Sequence, residues 1–108
     1  MPVYNKLVRD RIPEIIQADG KTFTTRVLEE KEYREELRKK AQEELQEYMN
    51  ASDDETALEE LADLLEIMHA LAKCHGASIE RVEQIRAEKA EKRGGFKEKI
   101  FLVEVHDE

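Results

Sequence analysis

Two long amphipathic stretches, Glu30 to Met49 and about Asp54 to Cys74, meet at a polar break near Asn50 to Asp54, and they constrain this chain more than any other feature. In the first, Tyr33, Leu37, Ala41, Leu45 and Tyr48 recur along one side at helical spacing. In the second, Ala57, Leu58, Leu61, Ala62, Leu64, Leu65, Ile67, Met68, Leu71 and Ala72 cover well over half of the circumference. Ser52 and Asp53 read as helix caps and Gly76 as a stop. So short a break folds two helices back on each other, which predicts an antiparallel hairpin.

Acids interrupt these apolar faces. Glu44 and Glu47 lie on neighbouring turns of the first helix, and Glu60 and Asp63 do the same on the second. In an antiparallel hairpin Glu44 and Asp63 are equidistant from the turn, as are Glu47 and Glu60, so the two pairs face one another. At about 100° per residue Glu44 falls inside the stripe of Leu37, Ala41, Leu45 and Tyr48. Glu60 falls between Ile67 and Leu71, whereas Glu59 and Glu66 point away, as solvated acids should. Converging carboxylates repel unless something positive lies between them. A hard divalent cation such as Mg²⁺, with Mn²⁺ as a substitute, is the first candidate. The opposing reading is ordinary surface or ion-paired acids: with 26 of 108 residues acidic, an EExxE followed by an ExxD arises roughly once by chance.

The rest of the chain is shorter in its elements. A helix is predicted from about Arg9 to Ala18, with Asp10 as cap, Pro13 in the first turn and Ile12, Ile15 and Ile16 facing inward. Ser78 opens another helix, with Ile79, Val82, Ile85 and Ala90 on its apolar side, and Gly94-Gly95 stops it. Phe23 to Leu28 is rich in β-branched residues and Ile100 to Val105 is strongly apolar, so a small two-stranded sheet over about 23–28 and 100–105 is expected beside the helices. The fold class is therefore mainly α, as one domain over residues 1–108.

Composition narrows the function classes. A net charge of −8 disfavours nucleic-acid binding. With no apolar run of spanning length and no signal-peptide core, a cytoplasmic protein without a membrane segment is expected. The single cysteine, Cys74, excludes an intramolecular disulfide and reads as a partly buried residue near a helix end. His69, His75 and His106 share no ligand spacing, and neither a P-loop nor a nucleophile arrangement is present. Basic residues cluster near both ends: Lys6, Arg9 and Arg11, then Lys89, Lys92, Arg93, Lys97 and Lys99. A metal-bound phosphate chain needs such groups, although surface ion pairing explains them individually.

The blocks YNKLVRD at Tyr4 to Asp10, IPEII at Ile12 to Ile16, EELQE at Glu43 to Glu47, EELAD at Glu59 to Asp63 and KRGGF at Lys92 to Phe96 together resemble the MazG-like all-α nucleoside triphosphate pyrophosphohydrolases. The likeness is narrower still to their small house-cleaning branch, often labelled phosphoribosyl-ATP pyrophosphohydrolase-like. It covers nearly the whole chain in order, and the first and last blocks are more specific than the acids. The resemblance implies a helical core, Mg²⁺ dependence, cleavage of a nucleotide between its α and β phosphates, and assembly as a homodimer or homotetramer. It implies Glu44, Glu47, Glu60 and Asp63 as metal ligands, with Glu43 as a less directly committed acid. Lys6, Arg9, Lys92 and Arg93 fall on basic positions of the branch's blocks, which suggests substrate contact. On chemical grounds Glu47 or Glu43 would orient the attacking water as catalytic base. A histidine-pathway phosphoribosyl-ATP pyrophosphohydrolase and a non-catalytic helical interaction module are the alternative functions.

Overall fold

A computed structural model describes residues 2–107 and contains four helices in the order α1 (Ile12–Ala18), α2 (Glu30–Met49), α3 (Asp54–Cys74) and α4 (Ile79–Arg93). The hairpin of α2 and α3 is the organising contact. Its turn is short because both ends are capped locally. The N–H of Asn50 donates to carbonyls of the last turn of α2, and the Asp53 carboxylate accepts from the Thr56 N–H at 2.8 Å. That cap satisfies a backbone donor the new helix would otherwise leave bare.

At the open end of the hairpin, Leu37, Ile67 and Cys74 form the buried core, with Leu7, Tyr33, Ala41, Ala70 and Leu71 packed around it. Arg34 donates to the backbone carbonyl of Cys74. This places a cation on the negative end of the α3 dipole and ties the start of α2 to the end of α3. Gly76 then takes a φ of +70°, a left-handed conformation that glycine adopts without a side-chain clash, and the chain turns into α4. Gly94 ends α4 with a φ of +83°.

Two expectations need correction. The sheet is absent: among the described residues no strand is formed, and neither 23–28 nor 100–105 is paired. Val27 is 97% exposed and Phe101 88%. A strand is stabilised by a neighbour's backbone hydrogen bonds and cross-strand side chains, and β-propensity without such a partner does not suffice. The first helix is also shorter than expected, starting at Ile12 with Pro13 in its first turn; Asp10 does not cap it, and Arg11 occupies the cap position without a side-chain bond. Ile12 and Ile16 are half-buried, but Ile15 faces solvent. No helix among the described residues is long and apolar enough to cross a membrane.

Because so few side chains are fully buried, each carries a large share of the hairpin's cohesion. Leu37→Ala is expected to cost about 2–4 kcal/mol, and Asp53→Ala about 1 kcal/mol. Urea unfolding followed by helical circular dichroism measures both. Equal effects of the two substitutions would contradict this division between core and cap.

Candidate metal centre on the helical hairpin

Helical periodicity carries Glu44 and Glu47 of α2 onto the face that meets α3, where Glu60 approaches from the other side. One carboxylate oxygen from each of these three residues lies within 4.8 Å of the others. Glu44 is buried, at 8% exposure, Glu60 is half-buried and Glu47 reaches solvent. Such a trio, open on one side, matches the oxygen-rich coordination of a hard divalent ion that keeps water ligands.

The electrostatics point the same way. The Oε2 atoms of Glu44 and Glu60 are buried and accept no hydrogen bond. With the carboxylates ionised, an oxygen in that position has lost water and faces no donor, which is costly. Glu44 responds by holding its proton, with a pKa pushed up to about 7: burial contributes most, followed by hydrogen bonding to Glu60 and Glu47 and by the negative charge of Glu47 and Asp63. For Glu60 the hydrogen bond with Glu44 favours the ionised form, but burial and the neighbouring Glu47 and Asp63 outweigh it, and its pKa is raised. Without a cation, one proton does part of the work of a positive charge between Glu44 and Glu60. A divalent ion would replace it and supply both orphaned oxygens with a partner. The donor set therefore fits Mg²⁺ or Mn²⁺.

Asp63 stands apart from the trio. Its Oδ1 accepts from Arg9 Nη2 at 2.7 Å, an ion pair between two partly exposed groups. The pairing follows from the path of the N-terminal segment, which lays Leu7 against the hairpin core and so brings Arg9 to α3. Lys6, in the same segment, stacks its ammonium 5.6 Å from the Tyr4 ring centroid. It also lines a groove of about 200 Å³ together with Asn5, Leu7, Glu36, Lys39, Lys40 and Glu43. Thus Glu43 sits beside a cation cluster rather than within the carboxylate trio.

Lys39 and Lys40 are functional candidates that sequence reasoning missed. Lys40 precedes Glu44 by four residues and Glu43 by three, so helical periodicity alone put it on their face. That signal was masked by the many other charges of α2. Lys39 is partly engaged, donating to Glu36 at 3.1 Å. Lys92 and Arg93 occupy the last turn of α4, exposed, and no hydrogen bond or ion pair among the described residues links them to the acids. A second depression, over the hairpin turn, is lined by Tyr48, Met49, Ala51, Ser52, Asp53, Asp54 and Ala57. Its only charged groups are acids, so it offers an anionic ligand nothing.

Comparison with known proteins adds one partial relative. An uncharacterized protein of Mycolicibacterium smegmatis (strain ATCC 700084 / mc(2)155) is 46% identical over 54 residues, which is 50% of this chain and 55% of that protein. The chain thus matches about half the length of this relative. No family model matches the chain, and no solved structure does.

The raised pKa of Glu44 has a consequence for stability with a definite sign. The folded state holds the proton more tightly than the unfolded chain, whose carboxyl titrates near 4.5. The stabilisation is full below that value and is lost as pH rises to about 7. The melting temperature of the metal-free protein should therefore contain a component that falls across this window. Glu44→Gln should flatten that component, and saturating Mg²⁺ should raise the wild-type melting temperature most at the alkaline end. Identical pH profiles for wild type and Glu44→Gln would show that Glu44 ionises as freely as a surface acid.

Proposed function

We propose that this chain is a divalent-metal-dependent nucleotide pyrophosphohydrolase, releasing pyrophosphate and a nucleoside monophosphate from a nucleoside triphosphate, a non-canonical one by preference. The convergence of Glu44, Glu47 and Glu60 with two buried, unpartnered oxygens is the observation that carries this reading. The resemblance of the YNKLVRD, EELQE, EELAD and KRGGF blocks to the MazG-like enzymes supplies the reaction class. Glu44, Glu47 and Glu60 would hold the ion, and Asp63 would join them on exchanging its bond to Arg9. When bound, a divalent ion would screen phosphate charge and acidify water.

The chain's own groups have distinct tasks in this scheme. Water attacks the α-phosphorus, the bond from that phosphorus to the α–β bridging oxygen breaks, and pyrophosphate departs with the electron pair. Glu47, exposed at the rim of the trio, or Glu43, in the adjoining groove, accepts the water's proton. Lys6, Lys39 and Lys40 line the groove beside Glu43 and would neutralise the departing phosphates. In a chain of net charge −8 such local cations are needed for an anionic substrate to approach at all. Arg9 keeps guanidinium donors beyond the one bonded to Asp63 and can take a phosphate oxygen with them. Lys92 and Arg93 would contribute only as an outer basic surface at the end of α4. The active assembly is a homo-oligomer.

Pyrophosphate release should be measured with Mg²⁺ or Mn²⁺ over canonical and modified nucleoside triphosphates, with phosphoribosyl-ATP in parallel. Glu44→Gln and Asp63→Asn should each lower turnover at least about 100-fold, since even residues that merely support a metal's ligands are worth 10–100-fold. Helical circular dichroism should be retained. Wild-type turnover by either variant would remove that residue from the site. Selective turnover of phosphoribosyl-ATP would reassign the substrate, and a calorimetric titration without metal binding, together with no hydrolysis, would leave a non-catalytic helical module.

Lys40→Ala tests the groove separately. Loss of one charge-assisted hydrogen bond to phosphate should raise KM roughly tenfold with little change in kcat, the pattern of lost uniform binding. An unchanged KM would place the phosphates elsewhere.

A further inference from the structure

Asp63 belongs to the face of α3 that meets α2, yet it stands outside the carboxylate trio. It follows Glu60 by three residues, one turn along the same side of the helix, and across the hairpin it is level with Glu44. Its charge is felt there. After burial and the bonds to Glu60 and Glu47, the charges of Glu47 and Asp63 help to hold the Glu44 carboxyl above the usual carboxylate range. The oxygens that come within 4.8 Å of one another nevertheless belong to Glu44, Glu47 and Glu60. Asp63 is bonded instead to Arg9, at 2.7 Å from Nη2 to Oδ1.

That bond is one that exchanges readily. Its side chains are 56% and 41% exposed, and a single nitrogen meets a single oxygen. An exposed pair of this kind shifts an equilibrium by at most about fivefold. Two phosphate oxygens taken by the guanidinium fork are a stronger partner than one carboxylate oxygen. The backbone can stay in place during such an exchange, because Leu7 packs on the hairpin core and the Ile12 N–H donates to the Arg9 carbonyl at 3.1 Å as α1 begins. Lys6 lines the cationic groove with Lys39 and Lys40. It precedes Arg9 by three residues, no more than about 11 Å of chain, so a phosphate chain seated in the groove comes within reach of the guanidinium.

We propose that Arg9 is a positioning residue that makes cation binding depend on an anion: with no anion present it occupies Asp63 and withholds that carboxylate from Glu44, Glu47 and Glu60, and a phosphate group on Lys6, Lys39 and Lys40 draws the guanidinium away and releases it. Arg9 has this role only if the trio is a cation site, as proposed above; the support for that site that does not involve Arg9 is the unpartnered Oε2 of Glu44, a residue 8% exposed. Linkage makes the effect mutual, since whatever factor phosphate adds to the affinity for the ion, the ion adds to the affinity for phosphate. A bare divalent ion meets the trio with Asp63 engaged elsewhere, whereas an ion arriving with a polyphosphate meets Asp63 as well. The site thereby favours a metal that comes with its phosphate ligand.

Calorimetric titration with Mg²⁺ alone should compare the full chain with Arg9→Gln, Asp63→Asn and the double variant. Arg9→Gln should tighten Mg²⁺ by up to about fivefold, the factor that the ion pair withholds, while Arg9→Lys, which keeps a cation at Asp63, should stay near wild type. In the Asp63→Asn background the gain from Arg9→Gln should vanish, because no carboxylate is left to release. Inorganic phosphate should close the gap between wild type and Arg9→Gln. Equal Mg²⁺ affinities of those two proteins, a gain that survives in Asp63→Asn, or a gap that phosphate leaves open would each overturn the coupling and leave the trio as a cation site. Absence of Mg²⁺ binding in all of the proteins would remove the site itself, and the role of Arg9 with it. Arg9 is exposed, so helical circular dichroism should be retained. Should Arg9→Gln unfold, the guanidinium resonances of wild-type Arg9 decide: phosphate should shift them, and resonances that phosphate does not move would overturn the exchange.

Discussion

A carboxylate buried between two helices has to be compensated, and much of this protein follows from how Glu44 meets that demand. Its side chain lies where α2 packs on α3, facing Glu60 and close to Glu47, with one oxygen unpartnered. A chain selected for stability alone would place a leucine there, because an apolar side chain of that size contributes to the core and an unpaired acid opposes it. Retaining acids on both sides of the hairpin places three carboxylates where a cation could be held, and binding there would couple stability to occupancy.

Basic groups stand beside these acids. Arg9 and Lys6 arrive together because Leu7, between them, is anchored on the hairpin core. Lys39 and Lys40 come from α2 itself, one turn before the acids. Negative groups for a cation and positive groups for an anion thus stand on adjacent turns of a rigid helix, positioned by backbone periodicity rather than by a flexible loop. Most ion pairs elsewhere, such as Arg11 with Glu14 and Arg86 with Glu83, are local and exposed and contribute little to stability.

The same fold leaves much apolar surface uncovered. Leu58, Leu61, Leu65 and Met68 of α3 and the extended segment around Phe101 all lie open to solvent. One face of α3 carries the acids and the opposite face an exposed apolar stripe.

Much of this was written in local sequence. The limits of α2 and α3, the Asp53 cap, the stops at Gly76 and Gly94 and the inward position of Glu44 all follow from periodicity and capping, which act over one or two turns. The facing of Glu44, Glu47 and Glu60 followed from the antiparallel hairpin. What sequence could not settle was whatever depended on distant partners. Residues 23–28 and 100–105 have the composition of strands, yet neither pairs, because a strand exists only with a neighbour. Asp63 has the spacing of a fourth ligand, but the fold of the N-terminal segment hands it Arg9. Lys40 was one charge among many until the groove placed it beside Lys6 and Glu43. Local sequence determined the helices and the faces they carry, since helical hydrogen bonds and capping are made within a few residues. Tertiary structure alone decided which charges meet across those faces and which apolar surfaces stay open, because burial and Coulomb energies depend on what the rest of the chain brings near.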